Sequence, residues 1–380
     1  MKFNEILVES KPAAGRDMQH LEDNMIVDGA QGAINSLNDL RNLVSDPQAV
    51  SVKWDGQMAI YWGHNKNGDF FLIPNAQWSK KLAVDKAGLA QEIQSTGRKR
   101  ADQSDEDFSA TRRNLAGKYM KLWDIFANAS NGTVGFFKGD IMFTDPQQPD
   151  ENGNYVFTPN KVTYTVSPNG LFGKMKTAQV FITVHGRPTE FGSSELSPAS
   201  PAEINKLNST PQLIAIGAVR PESGIKLNTK PIDALMVRIR QQANAINAIS
   251  NFSAARFTTI KQLLYTYSIQ LGKSNGNLDF NTWLDSSKIS ENQKVLVREL
   301  QKKPEWNIFW SAFADMSKIK NLMFDQLTKQ QGNEMTKTLG ITASVGGKPG
   351  GEGYVTSAGK IINPSFRSAP SNPRFTGEIG

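Results

Sequence analysis

The chain has 380 residues, 38% of them hydrophobic and 21% charged, and no cysteine. That length allows two or three domains with sizeable cores, and the missing thiol excludes disulfides, thiolate zinc sites and a cysteine nucleophile. A formal charge of +7 and a pI near 9.3 favour a polyanionic partner, because each phosphate neutralised releases counterions. No apolar run approaches the roughly 20 residues that span a bilayer, and Met1-Lys2-Phe3-Asn4-Glu5 lacks the apolar centre of a secretory signal. A cytoplasmic protein with no membrane partner is therefore expected.

The first predicted element is a helix from Ala33 to Val44, with Ile34, Leu37, Leu40 and Leu43 at helical spacing. Alternating runs from Ala49 to Trp62 and from Phe70 to Ile73, joined by Asn65-Lys66-Asn67-Gly68-Asp69, then predict a hairpin. Inside its first arm lies Lys53-Trp54-Asp55-Gly56, directly after Ala49-Val50-Ser51-Val52. The spacing puts an amine at a strand end beside a carboxylate and a turn. A lysine, with an ordinary pKa of about 10.4, becomes a nucleophile only when desolvated or surrounded by cations. Gly56 lets the backbone turn where a side chain would obstruct a nucleotide, and Asp55 shares the lysine's face if the strand continues. The plainer reading is a surface turn, which K-x-D-G often forms.

Residues 83–127 read as helical. Arg98-Lys99-Arg100, Arg112-Arg113, Lys118 and Lys121 accompany Trp123 and Phe126 there, either as a phosphate track for a nucleic-acid strand or as a solvated helix face. Strands are predicted at 134–143, 154–166 and 177–186. The first carries Asp140, with Lys138 on its face, in an otherwise apolar run; a local ion pair is the alternative to a functional acid. Phe191 to Pro201 reads as a loop. Beyond Lys226, Ile232, Leu235, Met236, Ile239, Ala243 and Ile246 fall on one helical face, and further helices are predicted near 254–270, 290–302 and 305–331. This suggests an all-helical insertion over 229–340, either a substrate lid or a stabilising subdomain, between core segments 1–228 and 341–380. Gly346 to Gly351 reads as a flexible bridge and not a phosphate loop, because Pro349 stands where magnesium needs a hydroxyl and Thr342 where the first glycine belongs. Gly351-Glu352-Gly353-Tyr354-Val355 sets a carboxylate between glycines, and Gly359-Lys360-Ile361-Ile362 sets a cation at a strand mouth. The tail from Asn363 is expected to be irregular.

Taken together, these motifs resemble those of the ATP-dependent ligase and RNA-capping superfamily of covalent nucleotidyltransferases, closest to phage RNA ligases. Lys53 to Gly56 is similar to the first motif, Phe137 to Ile141 to the third, Glu352 to Val355 to the fourth (E-G-x-V), and Lys360 to a fifth-motif lysine. The resemblance covers about residues 45–190 and 345–370. It implies an α+β fold with an antiparallel-sheet nucleotidyltransferase (ATP-grasp-like ligase adenylation) core. It also implies an enzyme using ATP and Mg²⁺ to seal 5′-phosphate to 3′-hydroxyl ends, RNA before DNA, through a lysyl-AMP intermediate. Catalytic roles then fall to Lys53, Asp55 and Lys360; nucleotide contacts to Lys53, Gly56, Asp140, Phe181 (as an adenine platform), Glu352 and Lys360; and the metal to Asp140 and Glu352. Met58 stands where DNA ligases of the family carry arginine. The other readings are a capping-type guanylyltransferase and a catalytically degenerate fold serving as a phage structural or nucleic-acid-binding protein. Gly139 to Thr144, Phe157-Thr158-Pro159-Asn160 and Val162-Thr163-Tyr164 are also similar to uncharacterised tailed-phage proteins that carry K-W-D-G and E-G-x-V.

Overall fold

A computed structural model describes residues 20–78, 85–97, 99, 103–221, 225–256, 258–274, 277–287 and 289–369. In chain order its first elements are helix α1 (Asn24–Asn42), strands β1 (Ser51–Lys53), β2 (Met58–His64) and β3 (Phe70–Pro74), and helices α2 (Lys86–Ser95) and α3 (Asp105–Ala129). Then come β4 (Gly135–Phe143), β5 (Tyr155–Phe157), β6 (Val162–Val166), β7 (Val180–Pro188), β8 (Leu196–Ser197), α4 (Pro201–Leu207) and β9 (Leu213–Ile216). A helical run follows: α5 (Lys230–Gln241), α6 (Ala243–Arg256), α7 (Thr258–Lys273), α8 (Phe280–Ser286), α9 (Glu291–Gln301) and α10 (Pro304–Leu339). The chain closes with β10 (Ile341–Val345), β11 (Lys348–Pro349), β12 (Gly353–Val355), β13 (Lys360–Ile362) and α11 (Pro364–Ser368).

The chain divides into two units, the first made of Met1–Lys53, Arg220–Gln331 and Gly353–Ser368. Its core joins Leu21, Met25, Ile26, Leu37 and Leu40 to Ile232, Met236 and Ile239 of α5 and to Phe309, Met323 and Leu327 of α10. The helices expected over 229–340 are present, but they do not close a core of their own. They share one with α1, so excising them would strip α1 of its packing. A small antiparallel sheet, β1-β12-β13, completes the unit. Its register pairs Val52 with Tyr354 and Tyr354 with Ile361, and these three put the sheet's apolar face on the helical core. An ion pair, Lys320 to Glu22, is fully buried here, and Ser268 Oγ donates to Asp23 Oδ1 at 2.9 Å beside it.

The second unit comprises Trp54–Val219, Gly332–Glu352 and Ala369–Gly380. Its main sheet runs β3-β2-β4-β7-β8, antiparallel throughout, with β9 added parallel to β7. Alternation gives it two faces. Met58, Ile60 and Trp62 of β2 share one with Phe137 and Ile141 of β4, and this face packs on α2 and α3 through Leu89, Ile93 and Leu122, with Trp62 4.8 Å from the Phe126 ring. Ala59, Tyr61, Lys138, Asp140 and Thr183 lie on the other. A second sheet runs β11-β10-β6-β5.

Four expectations change at this level. The run from Ala49 to Trp62 is not one strand: β1 ends at Lys53, β2 begins at Met58, and the two belong to different sheets. Residues 154–166 form a hairpin broken around Pro159 instead of one strand. Gly346 and Gly347 are not a loose bridge but the two-residue turn of hairpin β10–β11, closed by Val345 opposite Lys348, with φ of 56° and 78° as such a turn requires. Pro364, directly after Asn363, begins a short helix, α11, where an irregular tail was expected; residues 370–380 lie outside the described residues, as do Arg98 and Arg100 of the basic region.

Candidate functional site

The K-W-D-G segment straddles the division of the chain, which falls between Lys53 and Trp54 and again between Glu352 and Gly353. In the second unit the turn after Lys53 is held by three anchors of different chemistry. Trp54, 4% exposed, lays its ring 5.4 Å from Tyr164 and 6.3 Å from Phe181. Asp55, also 4% exposed, accepts from Asn160 Nδ2 at 3.0 Å, the Lys161 N–H at 2.6 Å and the Val162 N–H at 2.8 Å. Its own N–H donates to Tyr164 Oη at 2.9 Å. A Cβ on Gly56 would lie 2.6 Å from the Asp140 Cβ, so only glycine lets the turn approach β4 this closely. The Gln57 N–H then donates to the Ile141 carbonyl at 2.7 Å.

Asp55 therefore does not continue β1 on the face of Lys53, as a straight strand would have placed it. Its carboxylate clamps the start of β6. The residues that sequence reasoning missed are the other half of this clamp, Asn160 and Tyr164. They stand in the stretch noted for its similarity to phage proteins, but their partner lies over a hundred positions away and left no local signal.

Tyr164 marks where the acids of this unit meet. Its ring is buried, and its hydroxyl is held well above the usual tyrosine range, first by burial and then by the negative charges of Asp55, Glu352 and Asp140, against the hydrogen bond from the Asp55 backbone. Three acids separated by up to 300 positions thus act on one oxygen. Asp140 pairs with His185 Nε2 at 2.9 Å, a partner the scattered histidines did not suggest; Lys138 instead lies over the Tyr61 ring, 5.4 Å from its centroid. Glu352 is buried, 8% exposed.

In the first unit, Lys53 stands opposite Gly353, and Lys360 opposite Val355, which is opposite Ser51. By strand alternation Lys53 and Lys360 share the face of the small sheet turned away from Val52, Tyr354 and Ile361. A Cβ on Gly353, whose φ is 152°, would lie 2.1 Å from the Ile361 carbonyl oxygen. The glycine of E-G-x-V is thus demanded by the close pairing of β12 and β13.

One site assignment fails on burial. Phe181 is fully buried, ringed by Trp54, Phe143 at 5.8 Å and Phe157 at 5.9 Å, so it has no face to offer an adenine and serves as core. Three cations of the basic region, Lys99, Arg112 and Lys121, have partners within the fold. Arg112 Nε donates to the Ile93 carbonyl at 2.7 Å, Lys121 binds the Thr144 carbonyl and Asp145, Lys99 pairs with Asp105, and Phe126 is core.

Among the described residues, no group of three or more His, Asp or Glu is placed to hold a metal ion, and no helix is long and apolar enough to cross a membrane. Magnesium asks for less than such a cage: it keeps several waters and takes one or two carboxylates with substrate phosphates.

The fold is α+β, built on antiparallel sheets. A family of unknown function (DUF6267) matches residues 16–86, a span that takes in α1, β1, the K-W-D-G turn and the hairpin β2–β3. No curated protein matches the chain, and no solved structure does.

Proposed function

We propose that this protein is an ATP-dependent polynucleotide ligase, acting on RNA before DNA, with a ligase-type nucleotidyltransferase core. The observation that carries the reading is the construction of the K-W-D-G turn. A surface turn needs no buried carboxylate, no aromatic anchor and no glycine pressed against a strand, whereas a lysine that must meet a phosphorus atom in one geometry needs a backbone fixed on its C-terminal side. Trp54, Asp55 and Gly56 provide that fixation.

In this reading the Lys53 amine, once deprotonated, attacks the α-phosphate of ATP, and the bond to pyrophosphate breaks as the bond to nitrogen forms. AMP then passes to a 5′-phosphate end, and a 3′-hydroxyl displaces it to join the strand. Lys360, on the same sheet face as Lys53, contributes positive charge toward the α-phosphate. Asp140 and Glu352 are the residues that would hold Mg²⁺, which would supply charge neutralisation to the phosphates. Asp55 keeps the turn in place. Incubation with α-labelled ATP and Mg²⁺ should leave label on the protein, and Lys53→Ala should abolish it. Absence of label with ATP and with GTP alike would remove the proposed first step.

A further inference from the structure

The second unit contains a cavity of about 320 Å³ that the adenylation chemistry does not use, lined by His64, Lys66, Phe136, Arg187, Thr189 and Ser197 among others. It lies at the far end of the main sheet. His64 pairs with Gly135, while Met58, six residues back along β2, pairs with Ile141 beside Asp140, which separates the cavity from the acids by roughly 20 Å at the rise of a strand.

Its chemistry is one-sided. The lining contains two cations, two hydroxyls and an imidazole, and no carboxylate. Lys66 forms no ion pair among the described residues and stands exposed. Arg187 is fixed by Glu203 and by the Val134 carbonyl at 2.7 Å, so it is a pre-set donor fork with part of its charge balanced. Burial holds His64 below the ordinary histidine range and Lys206 adds repulsion, against a hydrogen bond to the Thr133 backbone. Its Nδ1 is buried without a hydrogen-bond partner among the described residues. Phe136, half-buried, forms an aromatic wall backed by Phe71 at 4.8 Å and Trp78 at 5.4 Å.

We propose that this cavity binds a nucleotide: its phosphate at Lys66 and the guanidinium of Arg187, and its base against Phe136. Two cations and no carboxylate in the lining favour an anionic ligand over an amine or a bare metal cation. The volume sits at the lower end of small-molecule pockets, enough for one nucleotide unit. That unit is either a free mononucleotide or one residue of a strand, the latter making the cavity a docking point for substrate away from the reacting end.

The test is equilibrium binding of 5′-AMP, inorganic phosphate and a 5′-phosphorylated oligonucleotide to the full chain, by calorimetry. Lys66→Glu, on an exposed turn, should weaken 5′-AMP by about tenfold or more, and Ser197→Tyr should block it by filling the cavity. Neither should alter self-labelling on Lys53. Equal loss for the oligonucleotide identifies the strand as occupant; loss for 5′-AMP with the oligonucleotide unaffected identifies the free nucleotide. Inorganic phosphate binding as tightly as 5′-AMP would overturn the role of Phe136, and 5′-AMP affinity unchanged in both variants would overturn the site. Binding that depends on Lys66 in a protein that never self-labels would leave the cavity standing and the ligase reading refuted.

Discussion

Replacing Asp55 tests whether the K-W-D-G turn is a built feature. The carboxylate accepts three hydrogen bonds, at 3.0, 2.6 and 2.8 Å, from Asn160, Lys161 and Val162, in a setting where Asp55 is 4% exposed. Bonds to a charged group contribute about 1.5–3 kcal/mol each, and a buried N–H left unpaired costs about 1–3 kcal/mol. The three share one acceptor group and are not additive, so Asp55→Ala is expected to cost about 4 kcal/mol. With a urea dependence of roughly 2–3 kcal/mol per molar, the unfolding midpoint should fall by about 1.3–2 M. Asp55→Asn keeps the volume but turns an amide NH₂ toward N–H donors, and should recover less than half of the loss. Hydrogen exchange supplies the local readout: the Lys161 and Val162 amides should lose protection in Asp55→Ala before the rest of β6 does. A midpoint within 0.3 M of wild type, roughly 0.5–1 kcal/mol on the same scale, or unchanged protection at 161 and 162, would refute the clamp.

Two further perturbations probe buried charge. Lys320→Met leaves Glu22 without its buried cation in the first unit and should cost about 3–5 kcal/mol, while the double change with Glu22→Met should return most of it; chemical denaturation of the four proteins checks the cycle, and a double variant as unstable as the single would refute it. Burial pushes the Lys174 amine down to about 8 from 10.5, although it donates to the Asn208 and Thr210 carbonyls at 2.8 Å and to Leu213. Between those pH values the unfolded chain binds more protons than the folded one, so stability relative to Lys174→Met should rise from pH 8 to pH 10. A relative Tm that falls over that interval would mean that the three carbonyls outweigh desolvation.

What could be read from the sequence follows the range of the forces involved. Helical spacing of Ile232, Leu235, Met236 and Ile239 marked the buried face of α5, because each of those residues touches the core. The same logic misled at Trp54. Alternation from Ala49 to Trp62 reports which side chains are buried, and Trp54 is buried in an aromatic cluster although the chain has left the strand. Phe181 shows the converse: a ring that fills a core and a ring that stacks on a base have the same local pattern, and only its neighbours decide. The Asp55 clamp, the Asp140–His185 pair and the common core of α1 with α10 depend on contacts between residues far apart in the chain, which no window of residues reveals.

The clamp also separates the two meanings that a K-x-D-G can have. In a degenerate fold retained for binding, Asp55, Asn160 and Tyr164 would still be needed, because they join the turn to β6, but the amine of Lys53 would have no task that arginine could not perform. In a covalent enzyme the reverse holds for chemistry: guanidinium keeps the charge and cannot act as the nucleophile at neutral pH. Lys53→Arg therefore divides the cases with stability as the control. Unchanged unfolding with lost self-labelling belongs to an enzyme. Unchanged unfolding together with unchanged nucleic-acid affinity, in a protein that never took up label, belongs to a binding module in which the motif survives for its fold.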